Sequence, residues 1–356
     1  MPFGLAISPG GTFVTAADSR RFFQSHGRLD VIKLALAFFA IYFIWGSTYL
    51  AIRYAVETVP PLLTAAIRHT VAGSFLLGWA MLRGFRPTLA NWIAGLVVGA
   101  LFFLAGHGLL HVAQQYIASG LAAVLIATEP MFILVLAWLT GQQPISRLSA
   151  CGLLLGVVGV ALLAGTRLTV GDSSFLALLA VLASSLSWAV GVVISPKVKL
   201  PSDALGRTAI PLVCGAALLL VAAGIAGEFQ EIELTVISWK SFLGLAYLIV
   251  FGSIIAFTSY TWLLQRCPPA LVATHTYANP LVAMLLGWLV ASEPLTIRVV
   301  MASAVILAAI VLVRRGERSS VPRAPEIIAV AAETEPTALP GPNVQPALTG
   351  NDRLQG

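Results

Sequence analysis

The sequence predicts an all-α membrane protein with ten transmembrane helices, arranged as two inverted five-helix repeats. Three observations predict this fold: apolar blocks of membrane-spanning length, basic residues concentrated on one side of those blocks, and an internal similarity at a fixed offset. The 356-residue chain is 58% hydrophobic and 10% charged, whereas soluble domains carry about 25% charged residues. The blocks are continuously apolar and do not alternate like β-barrel strands, so helices are expected.

The apolar blocks are about 17 to 25 residues long, which is the length that crosses a bilayer as an α-helix. Prolines between them mark helix ends. The blocks predict helices near residues 31–53, 62–82, 91–113, 119–139, 149–166, 174–194, 205–227, 242–264, 269–291 and 297–313. Residues 1–30 lack a cleavable signal peptide pattern and are predicted to be a cytoplasmic segment. Residues 316–356 are polar and rich in proline, which predicts a disordered cytoplasmic tail.

The distribution of lysine and arginine predicts the orientation, because short basic loops stay in the cytoplasm. Fifteen basic residues flank one set of helix ends and four flank the other, and the acidic residues Glu228, Glu231 and Glu233 also lie on the poorly basic side. Both termini are therefore expected in the cytoplasm of a multi-pass inner membrane protein. That orientation requires an even number of spans, which supports ten over nine or eleven.

Several function classes lack their signatures. The net charge of +6 is spread between apolar blocks, so nucleic-acid binding is not expected. Cys151, Cys214 and Cys267 are far apart and form no metal-ligand pattern, so neither a metal nor another cofactor is predicted. The chain has no GxxxxGK[ST] nucleotide-binding loop, and it has no GxSxG nucleophile or paired acids of an intramembrane enzyme. Neither an ATPase nor an enzyme is predicted.

An internal repeat is evident around the fourth and ninth predicted helices. GLAAVLIATEPMFILVLAWLTGQQPIS and ALVATHTYANPLVAMLLGWLVASEPLT align without gaps at an offset of 150 residues, and a weaker similarity pairs Trp45 with Trp188 at an offset of 143. The prolines and tryptophans matched at 150 are Pro130 with Pro280, Trp138 with Trp288, and Pro144 with Pro294. Five spans separate the copies, and this odd number inverts the second copy. The predicted repeats cover residues 31–166 and 174–315.

Inverted repeats are a recurring plan of secondary transporters, because the two halves can exchange roles between inward-open and outward-open states. The repeat therefore favours transport, although a duplication kept only for folding is an alternative. The chain also resembles the EamA-type ten-helix members of the drug/metabolite transporter superfamily over residues 33–315. The resemblance is carried by FAIYFIWGSTYLAIRYAVETVPPLLTAAIRHTVAG and by the two aligned P-W-P segments. It implies an inner-membrane carrier of amino acids, other small metabolites or drugs, often outward, through a central cavity.

Two charged residues are predicted well inside the spans, away from their ends. Arg68 lies in the second helix, and Glu129 lies near the middle of the fourth, directly before Pro130. Burying a charge in a bilayer is costly, so such residues are functional candidates. We hypothesise that Glu129 exchanges a coupling proton, and that Arg68 binds a substrate carboxylate or keeps Glu129 ionised. Snorkelling of Arg68 or its pairing with Glu57, and a plain polar contact for Glu129, are the alternatives. The counterpart of Glu129 in the repeat is Asn279.

Polar and aromatic residues near these charges are candidates for the cavity wall. His107 and His111 are four residues apart on one helix face; hydrogen bonding between helices is an equally good interpretation, and a metal site lacks a third ligand. The other candidates are Trp45, Thr48, Trp188, His275 and Asn279. Pro130 and Pro280 remove backbone hydrogen bonds and are predicted hinges.

The leading functional prediction is a secondary active exporter that works by alternating access and couples to protons or to a counter-transported solute. A passive channel or facilitator is the alternative. The expected partners are a small-molecule substrate and the lipid bilayer. The spacing of Gly95 with Gly99 and of Gly152 with Gly156 allows close helix contact, either within the chain or in a homodimer.

Overall fold

The computed structural model describes residues 28–142, 144–164, 173–264, 266–267, 269–272 and 274–320. These residues form helices and connecting turns, and no β-strand occurs among them. We label the long helical segments in chain order: α1 (Arg28–Phe39, Ala40–Ile44 and Trp45–Ala55), α2 (Pro61–Leu82), α3 (Leu89–Gly99, Ala100–Gly108 and Leu109–Ala113), α4 (Ser119–Ile126 and Glu129–Leu139), α5 (Arg147–Ala164), α6 (Ser173–Ile194), α7 (Ala204–Ile225), α8 (Trp239–Tyr247, Leu248–Ile255 and Ala256–Leu264), α9 (Pro269–Val272 and His275–Ala291) and α10 (Ile297–Ser320).

Seven of these segments are long and apolar enough to cross a membrane, judged by length and composition: those in α1, α3, α4, α6, α7, α8 and α10. The other three differ for visible reasons. The helix α2 carries Arg68 and His69, the apolar part of α5 is only Arg147–Leu163, and α9 is divided around position 273, which lies outside the described residues. The described residues thus form helices and turns, with seven candidate membrane spans. The crossing of all ten segments as two inverted repeats stays a prediction.

The helix ends differ from the predicted boundaries by a few residues. The helix α1 begins at Arg28, inside the predicted N-terminal segment. The helix α10 continues to Ser320, five residues into the segment 316–356 for which disorder is predicted, because its last turn packs through Gly316 on Ser146 and Ser149 at the start of α5. Residues 1–27 and 321–356 lie outside the described residues.

Three spans contain π-helical stretches that periodicity did not predict: Ala40–Ile44 in α1, Ala100–Gly108 in α3 and Leu248–Ile255 in α8. Such stretches weaken the regular hydrogen-bond ladder and are frequent at functional sites. Neighbouring helices donate to their carbonyls. Trp45 Nε1 bonds the carbonyl of Gly252 in α8 at 3.1 Å, and the hydroxyls of Ser187 and Ser184 in α6 bond Leu101 and Gly106 in α3 at 2.8 and 2.7 Å.

The helices pack in pairs that relate the two halves of the chain. The helix α2 lies against α7, and α5 lies against α10. The helix α3 contacts α6 and α7, while α8 contacts α1 and α2; similarly, α4 contacts α6 and α9 contacts α1. Each of these contacts maps onto its counterpart when the two halves are exchanged. The central helices are therefore formed by both halves.

The two glycine pairs are used for packing within the chain. A Cβ atom at Gly99 would lie 2.6 Å from the Pro211 carbonyl oxygen and 2.7 Å from Gly215 N in α7. A Cβ atom at Gly152 would lie 2.8 Å from Val313 N in α10. Small residues allow this close backbone approach. A homodimer would need another surface and stays a prediction.

The loops after α1, α3, α7 and α9 meet at one end of the molecule, which we call the outer end after the predicted orientation. Lys240 pairs with Glu57 there at 2.8 Å. The buried Glu228 accepts hydrogen bonds from the backbone N–H groups of Leu62 and Leu63, at 3.1 and 2.8 Å, and so caps α2. Burial raises the pKa of Glu228, and the two backbone donors oppose that shift.

The apolar core differs between the two ends. At the outer end, Ile52, Ile117 and Leu121 belong to one large buried cluster that joins α1, α3 and α4. Toward the other end, which we call the inner end, buried residues of α1, α8 and α9 form a separate cluster that includes Leu34, Leu263 and other side chains. The large cluster also continues along α4 and α10 to Leu134 and Val313, whereas the cluster of Leu34 and Leu263 is separate from it.

Candidate functional site

Arg68 lies on the side of α2 that faces the π-helical stretch of α8, and only 5% of the residue is exposed. Its Nε donates a hydrogen bond to Ser253 Oγ at 2.9 Å. A Cβ atom at Gly252 would lie 3.4 Å from Arg68 Nη2 and 2.9 Å from Thr48 Cγ2. Glycine at this position therefore lets α1, α2 and α8 converge around the guanidinium.

Trp45 and Thr48 of α1 complete this group. The indole Nε1 of Trp45 donates to the carbonyl of Gly252, as described above, and the Thr48 hydroxyl donates to the Trp45 carbonyl at 2.6 Å. We call Trp45, Thr48, Arg68, Gly252 and Ser253 the arginine site. Ion pairs of the described residues include Arg53–Glu293, Lys240–Glu57 and Arg314–Glu317, and Arg68 forms none with a described carboxylate. A buried cation without a protein carboxylate favours an anionic ligand.

His275 and Asn279 of α9 lie on the other side of Trp45. The His275 ring is 4.9 Å from the Trp45 ring. The amide nitrogen of Asn279, in the orientation that satisfies its surroundings, lies 3.2 Å from the carbonyls of both Ile41 and Tyr42. Those two carbonyls belong to the π-helical stretch of α1, whose ladder is interrupted. Asn279 thus ties α9 to α1 beside the arginine site.

The predicted residues His107, His111 and Trp188 form a second group, and it also contains His69. His69 Nε2 and His107 Nδ1 are 2.8 Å apart, so one of them donates to the other. The His111 ring nitrogen Nδ1 donates to the His107 carbonyl at 2.7 Å. The indole of Trp188 stacks on His107, with ring centroids 5.2 Å apart. We call His69, His107, His111 and Trp188 the histidine cluster.

Three buried polar atoms in this region have no hydrogen-bond partner among the described residues: His69 Nδ1, His111 Nε2 and Gln114 Oε1. An unsatisfied buried polar group costs about 1–3 kcal/mol, so such groups point to function or to strain. His69 and Gln114 were not predicted from the sequence. His69 could have been predicted from its position next to Arg68. Consecutive side chains on a helix point in different directions, so His69 contacts α3 while Arg68 contacts α8.

Glu129 is half-buried and lies apart from both groups. It begins the second part of α4, directly after the break at Ala127 and Thr128. Its carboxylate makes no hydrogen bond or ion pair within the described residues, and the hypothesised pairing with Arg68 is not formed. The proton role of Glu129 stays a prediction.

The two proposed hinge prolines differ in their surroundings. Pro130 lies in the first turn after the break in α4. Pro280 lies inside the continuous helix His275–Ala291, and the interruption of α9 precedes His275. The hinge roles stay predictions.

No group of three or more histidine, cysteine, aspartate or glutamate side chains suited to a metal ion occurs among the described residues. The two groups of polar and aromatic side chains meet at α2, where Arg68 and His69 are consecutive. This arrangement could hold an anionic group against Arg68 and an apolar or aromatic group against Trp45.

Comparison with known proteins adds evidence of a different kind. The chain matches the EamA-like transporter family over residues 32–165 and again over residues 175–315. It is 38% identical to the uncharacterized inner membrane transporter YedA of Escherichia coli K12, over 81% of this chain and 92% of that protein. It is 28% identical to the uncharacterized transporter YvbV of Bacillus subtilis, over 79% of this chain and 90% of that protein.

A solved crystal structure also resembles the fold. It is 22% identical in sequence, with a TM-score of 0.55, and the match covers 81% of this chain and 99% of that one. The names of the relatives indicate transport and give no substrate.

Proposed function

The chain belongs to the EamA-like transporter family, and we propose that it is a secondary active exporter of small metabolites, amino acids or drugs. In this proposal it lies in the cell inner membrane and works by alternating access. Counter-transport of a proton or a second solute supplies the energy. Membership of this family indicates a membrane transporter. We propose in addition the energy coupling, the outward direction of transport and the inner-membrane location. The name of the relative YedA, an inner membrane transporter, supports the location.

The helix bounds support the inverted repeat that alternating access requires. The helices α2 and α7 are both 22 residues long and begin 143 positions apart, at Pro61 and Ala204. The helices α3 and α8 begin 150 positions apart, at Leu89 and Trp239. The two offsets differ because the loop at 226–238 before α8 is seven residues longer than its counterpart at 83–88. A single duplication followed by the lengthening of this one loop accounts for both offsets.

Local structure repeats at the same spacing. Thr88 caps α3 by accepting from Asn91 N, and Ser238, 150 positions later, caps α8 by accepting from Ser241 N. Both of these helices continue into a π-helical stretch. Caps and π-helical stretches are separate features, and their agreement supports a repeat that extends beyond the segments aligned in the sequence.

The observation that carries the proposal is the position of Arg68. It is a buried cation between α2 and α8, beside Trp45, in a region formed by helices of both halves. A substrate with a carboxylate would supply the counter-charge that the described residues do not provide at ion-pair distance. Transporter sites near the middle of the membrane at a repeat interface are a general feature of such folds.

The alternative is a passive channel. A channel needs a continuous polar path, whereas Ile52, Ile117 and Leu121 are each only 2% exposed and fill the outer end. This closed apolar core favours a carrier, because a carrier never opens to both sides together.

Flux in proteoliposomes tests the proposal. Solutes are first selected by comparing intracellular and extracellular metabolites in cells that lack or overproduce the protein. A carrier is expected to give saturable uptake that an excess of the same solute on the opposite side stimulates. Non-saturable flux without counterflow would favour the channel, and unchanged metabolite pools would count against export.

A further inference from the structure

The buried carboxylate of Glu293, in the loop between α9 and α10, bonds three donors at the outer end. Oε1 accepts from Ser119 N at 2.9 Å and lies 3.2 Å from Arg53 Nη1. Oε2 accepts from the Ser119 hydroxyl at 3.0 Å and from Gly120 N at 3.3 Å. Arg53 Nη1 also donates to the Ile117 carbonyl at 3.2 Å. We call Arg53, Ile117, Ser119, Gly120 and Glu293 the outer clasp.

The outer clasp joins helices from both halves of the chain. Arg53 lies in the last turn of α1, Ser119 and Gly120 begin α4, and Glu293 follows α9. The Glu293 carboxylate is also favoured at the start of α4, because the helix dipole and the free N–H groups there attract negative charge. Separating α4 from the α9–α10 loop would leave this carboxylate without these donors.

Burial makes the separation costly. The Glu293 side chain is 7% exposed, whereas that of Arg53 is 36% exposed. A buried carboxylate is tolerated when its lone pairs are satisfied and an opposite charge is near. Ile117, whose carbonyl is part of the clasp, also contributes its side chain to the apolar core of the outer end. The clasp and that core therefore stabilise the same closed arrangement.

The predicted repeat provides no equivalent clasp at the inner end. The positions that correspond to Arg53, Ser119 and Glu293 are Pro196, Pro269 and Gln143. None of these residues carries a charge, and proline lacks the N–H donor. At the inner end the cluster around Leu34 and Leu263 is also separate from the large core. The residues equivalent to Arg53 and Glu293 at the inner end therefore cannot form the same ion pair.

We propose that the outer clasp is the latch of the outer gate. The bonds from Glu293 to Ser119 and Gly120 form when the outer end closes and break when it opens, so Arg53 and Glu293 bias the resting protein toward the outer-closed state. This inference rests on the alternating access of the proposed function. It assigns gating roles to Arg53 and Glu293, which lie outside the arginine site.

Thiol accessibility in lipid nanodiscs tests the latch, because both ends are then open to reagent and orientation does not matter. The full chain carries Ile117→Cys in a background with Cys151→Ser, Cys214→Ala and Cys267→Ala. A maleimide should label position 117 slowly, since Ile117 is 2% exposed. Adding Glu293→Gln or Arg53→Gln is expected to raise the labelling rate roughly 5- to 30-fold, the effect of a shift of one or two kcal/mol.

Two matched variants serve as controls. Glu228→Gln alters another buried carboxylate of the outer end, one that caps α2 without an ion pair to α1, and Glu57→Gln removes an exposed ion pair with Lys240. Both should leave the labelling rate unchanged. If Glu293→Gln does not fold, Arg53→Gln carries the test, because the three contacts to Ser119 and Gly120 remain.

The outcomes separate the latch from a static tie. Unchanged labelling in both clasp variants, with a lowered unfolding temperature, would show a tie that never opens and would overturn the inference. An equal increase of the labelling rate in the Glu228→Gln control would also overturn the inference. Any disturbance of the outer end would then be enough to expose position 117. Labelling is measured without transport, so an absence of flux would count against the proposed function alone.

Discussion

Arg68 Nε and Ser253 Oγ are 2.9 Å apart inside the molecule, and this bond fixes the one buried arginine side chain of α2 against the π-helical stretch of α8. The bond uses only one of the five N–H groups that a guanidinium carries. Nη2 lies near Gly252, where the absence of a side chain leaves room. Among the described residues, Arg68 is therefore positioned by this one hydrogen bond and retains donors for a ligand.

Replacement of Arg68 should weaken substrate binding more than it weakens the fold. In Arg68→Gln the charge is lost while an N–H donor remains for Ser253. A hydrogen bond to a charged group is worth about 1.5–3 kcal/mol, so the KM for a carboxylate substrate should rise about 10- to 100-fold. Counterflow at varied substrate concentration measures it. Ser253→Ala is the control and should raise the KM less. An unchanged KM in Arg68→Gln would contradict anion binding at the arginine site.

Glu129→Gln should make transport independent of pH and of an imposed proton gradient, because the amide cannot exchange a proton. Transport is compared in mildly acidic and mildly alkaline buffer, with and without a gradient. The matched control is Glu57→Gln, which changes an exposed acid of the outer end and should keep the wild-type profile. A wild-type pH profile in Glu129→Gln would rule out the coupling role.

The helical segments were predicted well from the sequence because membrane burial requires long apolar blocks, and the position-by-position similarity identified Pro130, Pro280 and the paired tryptophans. The π-helical stretches were not predicted, because a single inserted residue in a helix hardly changes an apolar pattern. The π-helical stretch in α8 creates the carbonyl that Trp45 binds.

The candidate site was predicted by residue type and only partly by grouping. Trp45, Thr48 and Arg68 come together, as do His107, His111 and Trp188, yet Glu129 does not contact Arg68. His69 and Gln114 were missed because their roles depend on which way α2 and α3 turn relative to each other. Glu293 was missed because its partners are 173 to 240 positions away in the chain, and no local pattern marks such a contact.

His111→Leu should leave the protein at least as stable as the wild type while lowering transport. In the wild type the unpartnered Nε2 destabilises the folded state by about 1–3 kcal/mol, and the substitution removes this cost. It also removes one hydrogen bond to the His107 carbonyl, which is worth about 0.5–1.5 kcal/mol. Thermal unfolding in detergent and flux are measured together. His107→Leu should instead destabilise, because His69 would lose its partner. Clear destabilisation by His111→Leu would show that its Nε2 is satisfied.

Glu228 should give the protein a distinct dependence of stability on pH. Burial raises the pKa of this carboxyl above its ordinary value of 4.5, so the folded state binds a proton more readily than the unfolded state. Its contribution to stability is then present below 4.5 and is lost as the pH rises through the raised value. As the pH is raised from below 4.5 through the raised pKa, the unfolding temperature of the wild type should fall relative to that of Glu228→Gln. Parallel curves would contradict the shift.

Two glycine-to-alanine substitutions should have opposite effects on stability, one through helix packing and the other through helix propensity. A Cβ atom at Gly99 would meet the backbone of α7 at 2.6 and 2.7 Å, and backbone cannot move aside as a flexible side chain can. Gly99→Ala should therefore destabilise the protein by about 1–3 kcal/mol, as overpacking does. At Gly78 in α2 a Cβ atom would meet nothing within 4 Å, so Gly78→Ala should be neutral or stabilising by up to about 1 kcal/mol. Unfolding in a graded denaturing detergent compares the two, and equal effects would show that α3 and α7 do not pack at Gly99.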